Sequence, residues 1–153
     1  MSRIIIIGYG NPLRGDDALG YHAAGRLSRM ITDEDVAILT CHQLTPELAA
    51  TICKYDVAVF VDASVGDSPG TLTVTQIDPS HIPNRTFSHQ LDPESVLICS
   101  KYLYGQVPES YLVTVTAESF GYMEDLSVPV RNRLPELTDA VLRIAGYKPA
   151  VQR

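Results

Sequence analysis

Three residues of this chain have the types and positions that suit chemistry at one shared site: Asp17, Asp62 and His89. Asp17 follows an apolar run near the N-terminus, Asp62 closes a second apolar run, and His89 stands shortly before a predicted helix. Two carboxylates and an imidazole are a common ligand set for a divalent metal ion, and three ligands leave coordination positions open for substrate or water. Two ionised carboxylates also repel each other when they are held close, unless a cation or a shared proton intervenes. The residue types therefore favour a divalent metal ion, either resident or carried in by a partner.

Each of these residues also has a purely structural interpretation. Asp16 could cap the first helix, and Asp17 could share that role, because acids in a first turn favour the helix dipole. Asp62 could be a turn residue at the end of its strand, although a charged group in an apolar run is costly without a partner. His89 on its own could be a surface or capping residue.

Other polar residues are weaker candidates for the same site. His42 follows the second predicted strand and remains an open candidate. Glu118 and Glu124 follow the fifth predicted strand and could line the mouth of the site, although acids in loops are usually just solvated. His22 and His81 have the positions of structural or solvent-exposed residues.

The elements that would position these residues alternate between strand-like and helix-like patterns, which predicts an α/β fold with a largely parallel sheet. The connection between the third and fourth strands is too short for a crossover helix, so the fourth strand should be antiparallel. The predicted strands are 3–9, 36–41, 56–63, 71–77 and 110–117.

Helical signals separate most of these strands. The first helix shows an apolar face of Leu19, Ala23, Leu27 and Met30. The predicted helices are 17–31; 45–53, with Thr45 as N-cap and Pro46 in the first position; one capped by Asp92, with Pro93 first and Gly105 as terminator; and a last one from about 127 to 145, ending at Gly146. The prediction is a three-layer α/β/α sandwich with a five-stranded mixed sheet, of the phosphorylase/hydrolase-like type.

Ligands of open α/β sheets bind outside the carboxyl ends of the parallel strands, which is where the candidate residues lie. If the first and third strands are neighbours, about 4.8 Å apart, Asp62 and the loop that carries Asp17 converge. The loop that carries His89 could swing back to the same edge.

Composition excludes several classes of function. The chain has 153 residues, a net charge of −6 and no cluster of lysine and arginine, so binding to nucleic acid or to an anionic membrane is disfavoured. No apolar run approaches the roughly 20 residues that span a bilayer, and the first residues do not resemble a signal peptide. Cys41, Cys53 and Cys99 suit reduced thiols. We expect one cytoplasmic domain over residues 1–153.

A glycine-rich turn after the first strand at first suggests a phosphate-binding loop. The dinucleotide pattern G-x-G-x-x-G is matched by Gly8 and Gly10, but its third glycine position holds Leu13. Pro12 also removes one amide from the turn. The paired acids that follow indicate a positively charged ligand instead.

The segment GYGNPLRGDDALG, from Gly8 to Gly20, resembles the G-x-G-N-x-x-x-x-D-D/E-x-x-G signature of the nickel-iron hydrogenase maturation endopeptidases. The VDAS segment around Asp62 and the SHQL segment around His89 are similar to the second acidic motif and the histidine motif of that family. The HQLTPEL segment that begins at His42 and the EDLS segment that begins at Glu124 resemble segments of some members. The resemblance spans nearly the whole chain.

This resemblance implies an aspartic-type, nickel-dependent endopeptidase that cuts a C-terminal extension from the hydrogenase large-subunit precursor after nickel insertion. Asp17, Asp62 and His89 would contact the nickel carried by that precursor. Separately from the resemblance, we expect the protein to be a monomer. Some members have Glu at the position of Asp17. The aspartate side chain is shorter than that of glutamate, which moves the carboxylate by about 1.5 Å.

Two other functions are consistent with parts of the sequence. A nickel-sensing chaperone that binds the precursor without cutting it would use the same three residues. A small hydrolase of the peptidyl-transfer-RNA or nucleoside type is disfavoured by the acidity of the chain and the missing basic patch.

Overall fold

The computed structural model describes residues 2–78 and 91–147. A 3-10 turn, Gly15–Ala18, precedes the first helix. The strands are β1 Ile4–Tyr9, β2 Val36–Cys41, β3 Val57–Ser64, β4 Leu72–Ile77 and β5 Glu109–Thr116; the helices are α1 Leu19–Met30, α2 Leu48–Ile52, α3 Pro93–Tyr104 and α4 Val128–Ile144. No helix within the described ranges is long and apolar enough to cross a membrane.

The strands form a mixed sheet in the order β2-β1-β3-β5-β4. Strands β1, β2, β3 and β5 are parallel, and β4 pairs antiparallel with β5, as the short β3–β4 connection predicted. The first and third strands are neighbours, with Gly8 opposite Val61. Tyr9 and Asp62 therefore lie side by side where the pairing of β1 with β3 ends.

Alternating side chains of β1 divide the core into two apolar layers. Ile4 and Ile6 face the layer that contains α1 and α4, whereas Ile5 and Ile7 face the layer that contains α2 and α3. Each isoleucine so buried contributes about 2 kcal/mol to stability. A central strand covered on both faces explains the continuous apolar run, and the predicted three-layer α/β/α sandwich is confirmed.

Helix α1 packs with unusually close backbone contact on β1. A Cβ atom on Gly8 would lie 2.2 Å from the carbonyl oxygen of Gly20, so only glycine fits at this position. This contact places the start of α1, and the 3-10 turn before it, directly at the end of β1. The glycines of the first motif thus bring the acidic turn to the sheet edge.

The ends of helices α3 and α4 lie within one residue of the positions that the sequence predicts. Asp92 caps α3 by accepting a hydrogen bond from the Ser95 amide at 2.8 Å, and Gly105 ends it with φ of +69°. Helix α4 begins at Val128, one residue after the predicted start at Ser127, and Gly146 follows its end with φ of +88°.

Helices α1 and α2 differ from the sequence prediction. Helix α1 begins two residues later than predicted, after the 3-10 turn. Met30 is 47% exposed and Ile31 is buried instead, because the backbone becomes extended at Ile31 and turns its side chain to the core. Helix α2 begins at Leu48 without a side-chain cap, because Thr45 and Pro46 form a turn in which the Thr45 carbonyl accepts from the Leu48 amide.

Candidate functional site

A small cavity of about 130 Å³ lies at the carboxyl ends of β1, β2 and β3. Asp17 and Asp62 both line it, so the two predicted carboxylates come together as the strand order required. His89 lies in segment 79–90, outside the described residues, and its place in the site stays a prediction. The cavity is lined by Tyr9, Gly10, Asp17, His42, Gln43, Leu44, Asp62 and Leu91.

The carboxylate of Asp62 sits in an environment that disfavours its charge. Burial, the largest cause, and the negative charge of Asp17 together raise the pKa of Asp62 to about 7, against opposing hydrogen bonds from Ala63 and Tyr9. The Ala63 amide donates to Oδ1 of Asp62 at 2.8 Å. At neutral pH this group is therefore divided between its protonated and ionised forms, and a cation would favour the ionised form.

Tyr9 is a part of the site that the sequence analysis did not identify. Its phenol donates a hydrogen bond to the Asp62 carboxylate. Burial and the neighbouring charge of Asp62 raise the pKa of Tyr9, so that its hydroxyl keeps its proton and remains a donor. The signal for this residue was a tyrosine at the end of an apolar strand, next to the strand that carries Asp62.

The loop after β1 fixes the orientation of Asp17. The Asn11 amide donates to Oδ2 of Asp17 at 2.8 Å, and the Asn11 side chain in turn accepts from the Leu13 amide at 2.9 Å. Gly10 lies against Asp17 with φ of +141°, where a Cβ atom would stand 2.2 Å from the Asp17 carbonyl oxygen. The glycine and asparagine of the motif thus serve to hold a carboxylate.

Asp16 has a structural role, but its partners are not those of the first helix. Neither the 3-10 turn nor α1 has a side-chain cap. Asp16 is fully buried and accepts from the Glu118 amide at 2.8 Å, the Ser119 amide at 3.1 Å, and the Ser127 amide and hydroxyl, both at 2.7 Å. Burial alone would raise the pKa of Asp16, but these bonds, led by the one from the Ser127 amide, lower it. Asp16 thus joins the acidic turn to the β5–α4 connection.

The remaining candidates divide between the cavity and the surface. His42 is exposed and lines the cavity. Glu124 accepts a hydrogen bond from the Ser119 hydroxyl at 2.7 Å, and its side chain, like that of Glu118, is exposed. His22 is exposed on α1, and His81 lies outside the described residues.

The described residues supply two of the three predicted metal ligands. Among them, no group of three histidine, cysteine, aspartate or glutamate side chains is arranged to hold a metal ion. Asp17 and Asp62 nevertheless fit one cation, because they share a cavity and the charge of Asp17 raises the pKa of Asp62. The third ligand would have to come from segment 79–90 or from a partner.

The chain belongs to the class of three-layer α/β/α proteins with a mixed sheet, and its carboxylate pair lies at the edge of the parallel strands. Comparisons with known proteins identify its family. No family model matches the chain. The Hydrogenase 2 maturation protease of Escherichia coli strain K12 is 31% identical over 123 residues, which cover 76% of this chain and 74% of that protein.

Solved structures agree with this relative over almost the full length. The NiFe hydrogenase maturation protease HycI from Thermococcus kodakarensis matches with a TM-score of 0.77 and 30% identity, covering 95% of this chain and 93% of that one. The hydrogenase maturating endopeptidase HybD from Escherichia coli matches with a TM-score of 0.80 and 28% identity, covering 95% of each chain. The chain therefore belongs to the nickel-iron hydrogenase maturation protease family, as the motifs predicted.

Proposed function

We propose that this protein is an endopeptidase that removes the C-terminal extension of a nickel-iron hydrogenase large-subunit precursor after nickel insertion. In this proposal Asp17, Asp62 and His89 recognise the nickel of the precursor. The observation that carries it is the convergence of Asp17 and Asp62 on one cavity at the sheet edge. In this proposal the enzyme is a monomer and acts on the soluble precursor in the cytoplasm.

The electrostatics of the cavity support a cationic substrate group. The two carboxylates are held close enough for the charge of Asp17 to raise the pKa of Asp62, and this repulsion is an energetic cost to the folded protein. A Ni²⁺ ion between them would replace the proton of Asp62 and offset the repulsion. Carboxylate and imidazole ligands together are suitable for nickel, because imidazole nitrogen binds it well.

Recognition of the metal would also place the scissile peptide. If Asp17, Asp62 and His89 hold nickel that is already bound to the precursor, the adjoining chain is fixed relative to the cavity, and such positioning is a large part of catalysis. Nickel, or a carboxylate acting as a base, would then activate the attacking water. The proposed activity is therefore aspartic-type, because it uses the carboxylates, and nickel-dependent, because it needs the nickel of the precursor.

The same recognition would set the timing of cleavage. A precursor without nickel offers no ligand to the two carboxylates and the histidine, so its peptide is not positioned. Processing would then follow metal insertion without a separate signal.

The proposal is tested by incubating nickel-loaded precursor with the wild-type protein and with Asp17→Asn, Asp62→Asn and His89→Ala. Asp67→Asn is the matched control, because Asp67 is an exposed acid in the β3–β4 connection. We expect the control to cleave at the wild-type rate and each site variant to lose at least about 1000-fold in rate, since a catalytic metal contributes several kcal/mol. Undiminished cleavage by the three variants would refute the site.

The mass of the precursor separates an endopeptidase from the nickel-sensing chaperone. Mass spectrometry of its C-terminal region should show the loss of a defined segment after incubation with the wild-type protein. A stable complex with an unchanged precursor mass would instead identify a chaperone.

A further inference from the structure

Peptide hydrolysis needs a group that the carboxylate pair does not supply. When the carbon–nitrogen bond breaks, the departing nitrogen must receive a proton, and a positioned side chain often donates it. Asp17 and Asp62 would be engaged with the cation, and the Tyr9 hydroxyl already donates to Asp62. Among the described residues that line the cavity, His42 is the only other titratable side chain.

His42 reaches the cavity from the side opposite to Asp62. Strand β1 lies between β2 and β3, and Tyr9 pairs with Cys41 at the end of the β1–β2 ladder. The Gly10 amide extends this pairing by donating to the Cys41 carbonyl at 3.1 Å. The next residue, His42, is thereby held beside Gly10, while Asp62 flanks Tyr9 from β3.

The environment of His42 is that of a group left free for a substrate. Its side chain is exposed at the cavity, and no hydrogen bond or ion pair engages it anywhere in residues 2–78 and 91–147. It does not complete a metal site with the two aspartates, because no set of three such ligands occurs in those ranges. Neither packing nor metal coordination by the described residues therefore accounts for an imidazole at this position.

From this arrangement we infer that His42 is a catalytic residue that donates a proton to the departing amine nitrogen of the cleaved peptide. The inference rests on the proposed function. Water adds to the scissile carbonyl carbon and releases a proton to solvent. The carbon–nitrogen bond then breaks, its electron pair goes to nitrogen, and nitrogen takes a proton from the His42 imidazole ring. His42 regains a proton from solvent, so one water is consumed and one peptide bond is cut.

The test compares His42→Ala with wild type and with His22→Ala, whose imidazole is exposed on α1 away from the cavity. Cleavage of the nickel-loaded precursor is measured with and without added 2-methylimidazole, whose methyl group hinders its coordination to a metal ion. We expect His42→Ala to lose about 100-fold or more in kcat, with KM near the wild-type value. We expect the added imidazole to restore part of this loss, and His22→Ala to behave as wild type.

Three results would overturn the role of His42: a wild-type kcat in His42→Ala, a loss confined to KM, or a loss in kcat that the added imidazole does not restore. Thermal unfolding of each variant identifies any loss caused by misfolding, and His42→Gln provides a variant of similar size without acid–base capacity. If wild type itself leaves the nickel-loaded precursor uncut, the proposed function fails. If wild type cleaves and His42→Ala cleaves equally well, only the inference on His42 fails.

Discussion

Asp16 and Asp62 are two carboxylates near one edge of the sheet whose pKa values move in opposite directions. Asp16 is fully buried, yet four hydrogen bonds from Glu118, Ser119 and Ser127 lower its pKa. Asp62 is only partly buried, yet burial and the charge of Asp17 raise its pKa to about 7. Burial raises the pKa of both carboxylates, and the number of donors and the neighbouring charge decide which of them ionises readily.

The difference separates a structural acid from an available one. Asp16 accepts four hydrogen bonds from donors within the protein, so its charge is already stabilised and needs no ligand. Asp62 receives one backbone hydrogen bond and one from Tyr9, and it faces a like charge across a cavity. A cation from outside would therefore stabilise the ionised form of Asp62 more than that of Asp16.

The largest stability effect is expected when the four bonds of Asp16 are disrupted. Asp16→Asn replaces one acceptor oxygen with an amino group that faces buried donors, and it should lower the free energy of unfolding by about 3–4 kcal/mol. Urea denaturation measures this change. Ser127→Ala removes only the hydroxyl bond to Asp16 and should cost about 1 kcal/mol. Equal stability of Asp16→Asn and wild type would contradict the structural role of Asp16.

The two acids should also give opposite pH dependence to stability. Since the folded pKa of Asp62 is raised to about 7, its contribution is fully present below the unfolded pKa near 4 and is lost as pH rises through about 7. Asp62→Asn should therefore be more stable than wild type at pH 8, by about 2 kcal/mol after allowance for partial exposure. Asp16 has a lowered pKa, so its contribution is present above about pH 4 and is lost on acidification.

Unfolding free energies between pH 4 and 8 test this difference. The curve of Asp62→Asn should decline less between about pH 4 and 7 than the wild-type curve. Parallel curves for the two proteins would show that Asp62 titrates normally.

The smallest expected effect concerns Tyr9. Tyr9→Phe removes a hydrogen bond that lowers the pKa of Asp62, so the pKa of Asp62 should rise further, by up to about one unit. Carbon-13 NMR of the Asp62 carboxyl group measures the midpoint directly. Tyr55→Phe is the control, because Tyr55 stacks against Arg3 away from the cavity. An unchanged midpoint in Tyr9→Phe would remove Tyr9 from the site.

Local signals were enough to predict most of the fold. The cap at Asp92 and the end at Gly105 depend on residues within one or two turns of the helix, and both are confirmed. The antiparallel β4 followed from the length of one connection. Helix α2 was predicted to begin too early, because Thr45 and Pro46 suit a tight turn as well as a helix start.

The site was only partly predictable, for a different reason. The meeting of Asp17 and Asp62 was predicted only on the condition that the first and third strands are neighbours, and the donors to Asp16 lie 102 to 111 residues away along the chain. The contact between Tyr9 and Asp62 joins two strands in the same way. Such partners depend on tertiary packing, which periodicity and capping signals in the sequence do not predict.

The central claim is that the two carboxylates at the sheet edge respond to nickel in the precursor. Its most direct test is the cleavage rate of wild-type protein on matched nickel-loaded and nickel-free precursor, followed by mass spectrometry. We predict cleavage of the loaded precursor alone, and recovery of cleavage when the nickel-free precursor is loaded. Equal cleavage of both forms would contradict the claim.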